Sequence, residues 1–312
     1  MALLSEFALT PDVLDSSCYT TSEVGEIYCK ILKKALLEED GLIRNLRDET
    51  WSNLFFQPPR AWHPKWKELV KKLKKQNRLI KSPTMGGPEP ACDDDWCNEA
   101  LRSDAHTPLV GVIANRDVAS RFAAIPKVAS IADLETKDWW TSRSPSLRLQ
   151  RNLAEYSKAL SLFLRHARSV MFIDAHLDPS QLRYQDFVRL LQGAANREPS
   201  PVIEVHRVTY KGSGPSRRLK SKADWEAVFR TNMEPSLRTN GPAVEVFIWD
   251  DFHDRHIVSD LAGIHLGNGL DTTTAAAMTT WTRLGRDARD DIQREFDPGS
   301  REHLLLHRFK IP

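Results

Sequence analysis

The sequence predicts an α/β protein in two parts: a mainly helical part over residues 1–144, and a mixed sheet flanked by helices over residues 145–312. Three observations predict it. After residue 144, short apolar runs alternate with segments of helical period, as strands interleaved with helices do. Before it, apolar positions recur mostly at helical spacing. Between the two, Asp138-Trp139-Trp140-Thr141-Ser142-Arg143-Ser144-Pro145 ends one periodic region and begins another, and its tryptophans predict a packed junction rather than a loose linker.

Bulk properties narrow the class. At about 100–200 residues per domain, the 312 residues make one large domain or two ordinary ones. With 41% hydrophobic and 28% charged residues, the chain has the composition of a globular protein with a real core. A net charge of +2 excludes a polyanion binder that works by total charge, although residues 141–312 carry 25 Lys and Arg against 21 Asp and Glu. Four cysteines are too few for a disulfide scaffold, so reduced thiols and a cytoplasmic location are expected. Residues 1–7 lack the basic and apolar regions of a secretory signal. The absence of any 18-residue apolar stretch predicts no membrane span.

In the N-terminal part, the spacing of Val24, Ile27, Tyr28, Ile31, Leu32, Leu36 and Leu37 behind the Thr21 cap predicts a helix within residues 21–50. Gln57-Pro58-Pro59 breaks the chain. A basic helix follows over residues 65–80, with Lys65, Lys67, Lys71, Lys72, Lys74, Lys75 and Arg78 against the single acid Glu68. Trp66, Leu69, Val70, Leu73 and Ile80 form its apolar stripe. Its charged face is either plain solvated surface or a phosphate-contacting one, in which Lys71, Lys72, Lys74 and Lys75 would touch the polyanion. Residues 82–95 form a Pro/Gly loop ending in acids. Cys92, Cys97 and His106 lack the spacing of a zinc site, so no metal is expected there. Residues 108–114 predict a buried strand.

In the C-terminal part, a helix is predicted over residues 147–167, with Leu149, Leu153, Tyr156, Leu160, Phe163 and Leu164 inward. Residues 170–174 form an apolar strand ending in an acid. Residues 184–191 and 223–231 are helical, and 202–208 and 244–249 are strands. Residues 211–218 make a basic, glycine-rich loop containing Lys211, Arg217 and Arg218. The strand at 244–249 delivers the chain to the segment that carries chemistry.

That segment, residues 253–271, is His-Asp-Arg-His-Ile-Val-Ser-Asp-Leu-Ala-Gly-Ile-His-Leu-Gly-Asn-Gly-Leu-Asp. His253 stands two before Arg255, Asp260 follows after four residues, and Gly267 after six more. In a strand, residues i and i+2 share a face, so His253 and Arg255 are predicted to project into one cleft. A histidine can attack a phosphodiester to form a phosphohistidine, and a neighbouring cation stabilises the phosphoryl oxygens. An acid can orient the imidazole and fix its tautomer. This spacing resembles the phospholipase D superfamily, whose pattern is H-x-K-x4-D, then six residues, then G-[S/G/T]-x-N. The departures are arginine for lysine at 255 and Asn268-Gly269-Leu270 at the end. Residues 170–179 are similar to the strand, acid and proline-containing turn that open that domain. His-Asp-Arg closed by Gly-x-Gly-Leu-Asp also resembles the phospholipase D-like C-terminal domain of MIT-domain proteins, thought to be a binding module, and uncharacterised bacterial proteins of the same two-part layout. The resemblance covers about half of the chain.

The resemblance implies a phosphodiesterase or nuclease acting on nucleic acid without metal or cofactor. His253 would be the nucleophile, Arg255 would hold the phosphate and Asp260 would orient the site. Asn268, Lys211, Arg217 and Arg218 would contact substrate beside the four lysines of the basic helix. The superfamily uses two histidines, and the chain has one complete motif. His63-Pro64-Lys65 begins like a second but has valine at position 70, where the acid would stand. A homodimer pooling two sites, or a non-catalytic scaffold that binds phosphate or nucleic acid beside partner proteins of a multi-component system, are the two consequences. His176, His206, His256 and His265 are the other candidates for an acid role. Defence of bacteria against foreign DNA follows from the habit of the family alone, and a phospholipid hydrolase is disfavoured because no amphipathic or aromatic membrane-facing stretch is present.

Overall fold

The computed structural model describes residues 3–312 except 57–61, 63, 213, 239, 240 and 301. The break at Gln57-Pro58-Pro59 and the partial motif at His63 therefore lie outside the described residues. The chain divides into two compact units, Leu4–Ser144 and Pro145–Pro312, the second also taking in Leu3.

The N-terminal unit is organised by five strands, β1 (Glu6–Leu9), β2 (Leu42–Asn45), β3 (Leu79–Lys81), β4 (Gly111–Ala114) and β5 (Val128–Ser130). They run parallel in the order β3-β2-β1-β4-β5. Helices α1 (Ser22–Lys33), α2 (Thr50–Asn53), α3 (Pro64–Lys75), α4 (Asp93–His106), α5 (Arg116–Arg121) and α6 (Asp138–Thr141) connect them. Helices are abundant, as predicted, but the expectation of a mainly helical part is corrected by the parallel sheet at its centre. The reason is burial on both faces. β1, β2 and β4 are four-residue strands with every residue buried, so they show no polar alternation to read.

Several sequence expectations are redrawn here. The helix predicted within residues 21–50 covers α1 and one π turn at Lys34–Glu38. The chain then reverses through Asp40, at φ +59°, and Gly41, where a β-carbon would fall 2.7 Å from the Ala35 carbonyl oxygen, and enters β2. The basic helix buries Trp66, Leu69, Val70 and Leu73 as predicted, but it ends at Lys75. Arg78 does not join the lysine face: it is buried and pairs with Asp40 at 2.7 Å, while Ile80 belongs to β3. Trp139 and Trp140, expected at a packed junction, pack within the N-terminal unit. Trp140 is buried against Phe7, with ring centroids 5.5 Å apart, and the Trp139 indole fills the space beside Gly111 that a β-carbon would occupy. Both belong to the core of the N-terminal unit.

The C-terminal unit contains β6 (Ser146–Gln150), α7 (Leu153–His166), β7 (Ser169–Asp174), α8 (Gln185–Leu191), β8 (Val202–Val208), the ribbon β9 (Tyr210–Lys211) and β10 (Arg218–Leu219), α9 (Lys222–Leu237), β11 (Val244–Trp249), β12 (Arg255–Ser259), β13 (Gly263–Leu266), β14 (Met278–Arg283), α10 (Arg286–Glu295) and β15 (Leu305–Ile311). Eight of its strands form one mixed sheet, β15-β11-β8-β7-β12-β13-β14-β6. The helix predicted from residue 147 begins later. Leu147 and Leu149 alternate with Arg148 and Gln150, and this period of two pairs them with β14 as strand β6. The helix starts only after Asn152, whose side-chain oxygen accepts the Glu155 N–H at 2.9 Å.

At the centre of the sheet, β7, β8 and β11 are parallel, while β12 runs antiparallel to β7. The carboxyl ends of three strands and the start of β12 therefore lie at one sheet edge. Arg255 stands opposite Asp174 there. No helix among the described residues is long and apolar enough to cross a membrane.

The ion pair that ties the N-terminal sheet together is testable. The Arg44 guanidinium donates to both carboxylate oxygens of Glu6, at 2.8 and 2.9 Å, and also to the Ser103 hydroxyl and the Thr107 carbonyl of the α4 end. Both residues are buried. Arg44→Met strands the Glu6 charge in the core and should lower unfolding free energy by ~3–5 kcal/mol. Urea denaturation measures it; a loss below about 1 kcal/mol would contradict the role given to this pair.

Candidate functional site

Asp174 ends β7 with its side chain fully buried. Its Oδ2 accepts the Leu270 N–H at 2.9 Å and the Tyr184 hydroxyl at 3.3 Å; its Oδ1 accepts the His176 N–H at 3.0 Å. The Arg255 Nε stands 4.0 Å from Oδ1. The distant residues Leu270 and Arg255 and the nearby His176 and Tyr184 thus meet on one carboxylate. A β-carbon at position 269 would lie 2.2 Å from Oδ2, so only glycine lets the Gly-Leu-Asp segment approach. Asp271 then pairs with Arg151, lies 4.0 Å from Arg183, and its carbonyl accepts the Tyr156 hydroxyl at 3.1 Å. The motif's last three residues therefore fasten the loop after β13 onto the end of β7.

The predicted catalytic residues separate. Arg255 opens β12, half-buried against Asp174. His253 is exposed and precedes the strand, so strand alternation does not set its direction as predicted. Its segment is nevertheless held on both sides. The Asp250 N–H donates to the Leu304 carbonyl at 3.0 Å, and the Leu304 N–H returns to the Asp250 carboxylate at 3.1 Å. Asp251 accepts from the Tyr210 hydroxyl and from Arg217, and Phe252 is buried edge-on against Phe296 at 4.9 Å. Asp260 is not in this constellation. It lies past the far end of β12, roughly 16 Å of strand from Arg255. There its carboxylate accepts the Arg168 N–H at 2.9 Å and caps the start of β7. The distance excludes the orienting role predicted for it.

The basic loop does converge on the edge. Lys211 pairs with Asp178 at 3.2 Å. The Arg217 guanidinium lies 4.1 Å over the Tyr210 ring and 3.2 Å from Asp251. Arg218 is exposed on β10, opposite Lys211 in the ribbon. Asn268 is exposed, and its N–H donates to the Thr279 hydroxyl at 3.2 Å. Lys71, Lys72, Lys74 and Lys75 are exposed on α3 of the N-terminal unit, with Lys72 paired to Glu68 at 2.5 Å.

Beside Asp174, a cavity of about 170 Å³ is lined by His176, Asp178, Gln181, Arg183, Arg207, Tyr210, Lys211 and Gly212. Burial pushes Arg207 down to about 9, against the attraction of Asp178 and Asp174, so it remains charged at neutral pH. Burial acts to raise Asp178, but hydrogen bonds from Ser180, Gln181 and Lys211 outweigh it and hold the acid at about 2. His176 is lowered, by burial first and then by Arg255, Arg207 and Arg183 against the pull of Asp174. The sequence places Asp174 at a strand end and likens residues 170–179 to the opening of a phospholipase D-like domain, but it assigns no role to Asp174, Asp178, Tyr184 or Arg207. The available signal was an apolar strand ending in an acid, followed four residues later by Asp178-Pro179.

Of the other candidate histidines, His206 has a structural place. His206 is fully buried, stacked 4.6 Å from Phe247, with its Nδ1 accepting from the Trp249 indole at 3.1 Å. Burial lowers its pKa. His256 alternates to the face of β12 opposite Arg255 and lies 5.2 Å from the His265 ring. Among the described residues, no cluster of His, Cys, Asp or Glu has the makings of a metal site, and Cys92 serves as the N-cap of α4 while Cys97 is buried.

No family model and no curated protein matches the chain. Among solved structures, polyphosphate kinase from Porphyromonas gingivalis is similar over 50% of this chain at 12% identity with a TM-score of 0.33; the match spans 26% of the kinase. TrmBL2, an archaeal chromatin protein with a novel mode of DNA binding, is similar over 78% of this chain and 83% of its own at 10% identity, with a TM-score of 0.29. Likeness at this level assigns neither family nor function.

The depressed pKa of Asp178 predicts a stability term. A carboxylate held at about 2 stabilises the fold above its unfolded value near 3.8, and the contribution is lost as pH falls through about 2. Asp178→Asn should therefore cost about 2 kcal/mol at pH 7, with the difference from wild type vanishing near pH 2. Urea unfolding across this range tests it, and a gap independent of pH would contradict it.

Proposed function

We propose that the chain is a phospholipase D-like phosphodiesterase acting on nucleic acid. The observation that carries this reading is the strand edge itself. Arg255 is braced by the buried Asp174, and His253 is exposed two residues earlier on a segment clamped at both ends. The spacing shared with the phospholipase D superfamily supports the same assignment. His253 would attack phosphorus, forming an N–P bond as the P–O bond to the leaving group breaks. Arg255 would offset the charge gathering on the non-bridging oxygens. A protonated histidine must hand its proton to the leaving oxygen, after which water cleaves the phosphohistidine. No metal is needed for these steps.

His176 is poorly suited to that acid role, because burial and the neighbouring Arg255, Arg207 and Arg183 disfavour its protonated form. The proposed source is His253 of a second copy, placed across a two-fold axis that also brings a second Arg255 to the same phosphate. Lys71, Lys72, Lys74 and Lys75 are proposed to add phosphate contacts that carry no sequence preference. A second reading, a non-catalytic nucleic-acid-binding scaffold, is favoured by the distance of Asp260 from the edge and the position of His253 outside the strand.

Hydrolysis of a single-stranded oligonucleotide in excess chelator, with sedimentation of the same samples, separates the two readings. His253→Ala should lower turnover at least 10³-fold while keeping most oligonucleotide affinity; Arg255→Ala should weaken turnover by about 10²-fold and also affinity. A monomer that binds the oligonucleotide without turnover would overturn the catalytic reading and leave the scaffold.

A further inference from the structure

The cavity beside Asp174 has a charge imbalance that its own side chains leave unresolved. Arg207 is 1% exposed and lines it. The guanidinium donates to the main-chain carbonyls of Val208, Leu177 and Tyr210 at 2.7, 2.9 and 2.7 Å, and packs 3.4 Å over the Trp225 ring. Those carbonyls are neutral, so they orient the cation without cancelling it, and a buried cation is costly until an anion meets it. Arg183 and Lys211 add two more positive charges to the same wall.

One carboxylate faces them, that of Asp178. Its oxygens are already engaged by the Ser180 N–H at 3.0 Å, the Ser180 hydroxyl at 2.6 Å, Gln181 at 3.0 Å and Lys211 at 3.2 Å. Asp174 attracts Arg207 and Asp271 lies 4.0 Å from Arg183, but on the lining itself three cations meet one carboxylate whose oxygens are already engaged, and the cavity is polar. Its volume of about 170 Å³ is several times the ~30 Å³ share of a water molecule, so an oxyanion and accompanying water fit.

The rim is built rather than loose. Gly212 adopts φ +87°, and a β-carbon there would come 2.7 Å from the Ser216 carbonyl oxygen. Tyr210, on the cavity wall, donates to Asp251, and Arg217 spans both. Asp251 lies two residues before His253. The wall of the cavity and the segment carrying the exposed histidine are thus joined by direct contacts.

We infer that this cavity binds a phosphate group, the one adjacent to the scissile phosphate of a nucleic-acid strand. That the cavity takes a phosphate-class oxyanion stands on its geometry alone; that the phosphate is the neighbour of the scissile one rests on the phosphodiesterase reading. Bidentate guanidinium donors and a lysine match a phosphate's tetrahedral oxygens, and Arg207 is already held in place to provide one.

The test uses the full chain and inorganic phosphate, titrated calorimetrically at pH 7, with Arg183→Ala/Lys211→Ala as the main variant because both residues lie at the accessible rim. Phosphate affinity should fall at least ten-fold in this double variant. The slope of log affinity against log salt for a single-stranded oligonucleotide should fall by about 0.7, the share of one phosphate. Unchanged phosphate binding in the double variant would overturn the site, as would binding lost in Arg255→Ala alone. Capture by phosphatidylcholine vesicles carrying phosphatidic acid, with the oligonucleotide slope unmoved, would overturn the nucleic-acid assignment. Phosphate binding lost in the double variant, in a chain that shows no turnover, would keep the anion site and remove the phosphodiesterase reading it serves.

Discussion

A carboxylate buried at the end of a strand has to be satisfied by whatever surrounds it, and Asp174 is satisfied by its own turn, by the paired strand β12 and by the loop after β13. Its oxygens draw in the Leu270 and His176 amides, the Tyr184 hydroxyl and, through space, the Arg255 cation. An uncompensated charge at that depth would cost several kcal/mol. The carboxylate therefore constrains the rest of the site: the loop after β13 must approach closely enough to require Gly269, and β12 must begin where its first residue is a cation. Arg255 is positioned by this requirement whatever ligand it meets.

Around that fixed point the sheet edge collects opposite charges in layers. The Asp174–Arg255 and Asp271–Arg151 pairs lie beneath the loop, Asp178–Lys211 lies on the cavity wall, and Asp251–Arg217 lies on the rim. Arg183 also lies 4.0 Å from Asp271, and the buried Arg207 adds a cation to a lining that holds one carboxylate. The carboxyl ends of parallel strands, where loops diverge and leave a crevice, are the common place for ligands in open α/β sheets. The N-terminal unit is held together differently, by apolar packing on both faces of a parallel sheet and by the buried Glu6–Arg44 pair.

How much of this was legible in the sequence depended on whether burial left a pattern. The strands at 202–208 and 244–249 were read with the bounds they have, because their apolar runs are long and are ended by turn residues. β1 and β2 were missed because four wholly buried residues resemble a piece of buried helix. β6 was absorbed into a helix because Leu149 and Leu153 are also four apart. In the site, the spacing of His253, Arg255 and Gly267 was visible, but the close approach of Gly269 to Asp174 was not. Asp260 was assigned a role from its spacing alone, although a five-residue strand carries it to the other end of the sheet. Asp174 was visible as the acid that ends a strand, but its role and that of Arg207 come from tertiary burial, which no local pattern records.

The central claim is that one buried carboxylate holds the strand end, the start of β12 and the Gly-Leu-Asp loop as a unit. Amide hydrogen exchange of wild type against Asp174→Ala tests it most directly, read at Leu270 and at His176. The account predicts that both amides, protected in the wild type, exchange at least ten-fold faster in the variant, while amides in the interior of β8 and β11 keep their protection. Leu270 and His176 exchanging at wild-type rates in a folded Asp174→Ala protein would contradict it.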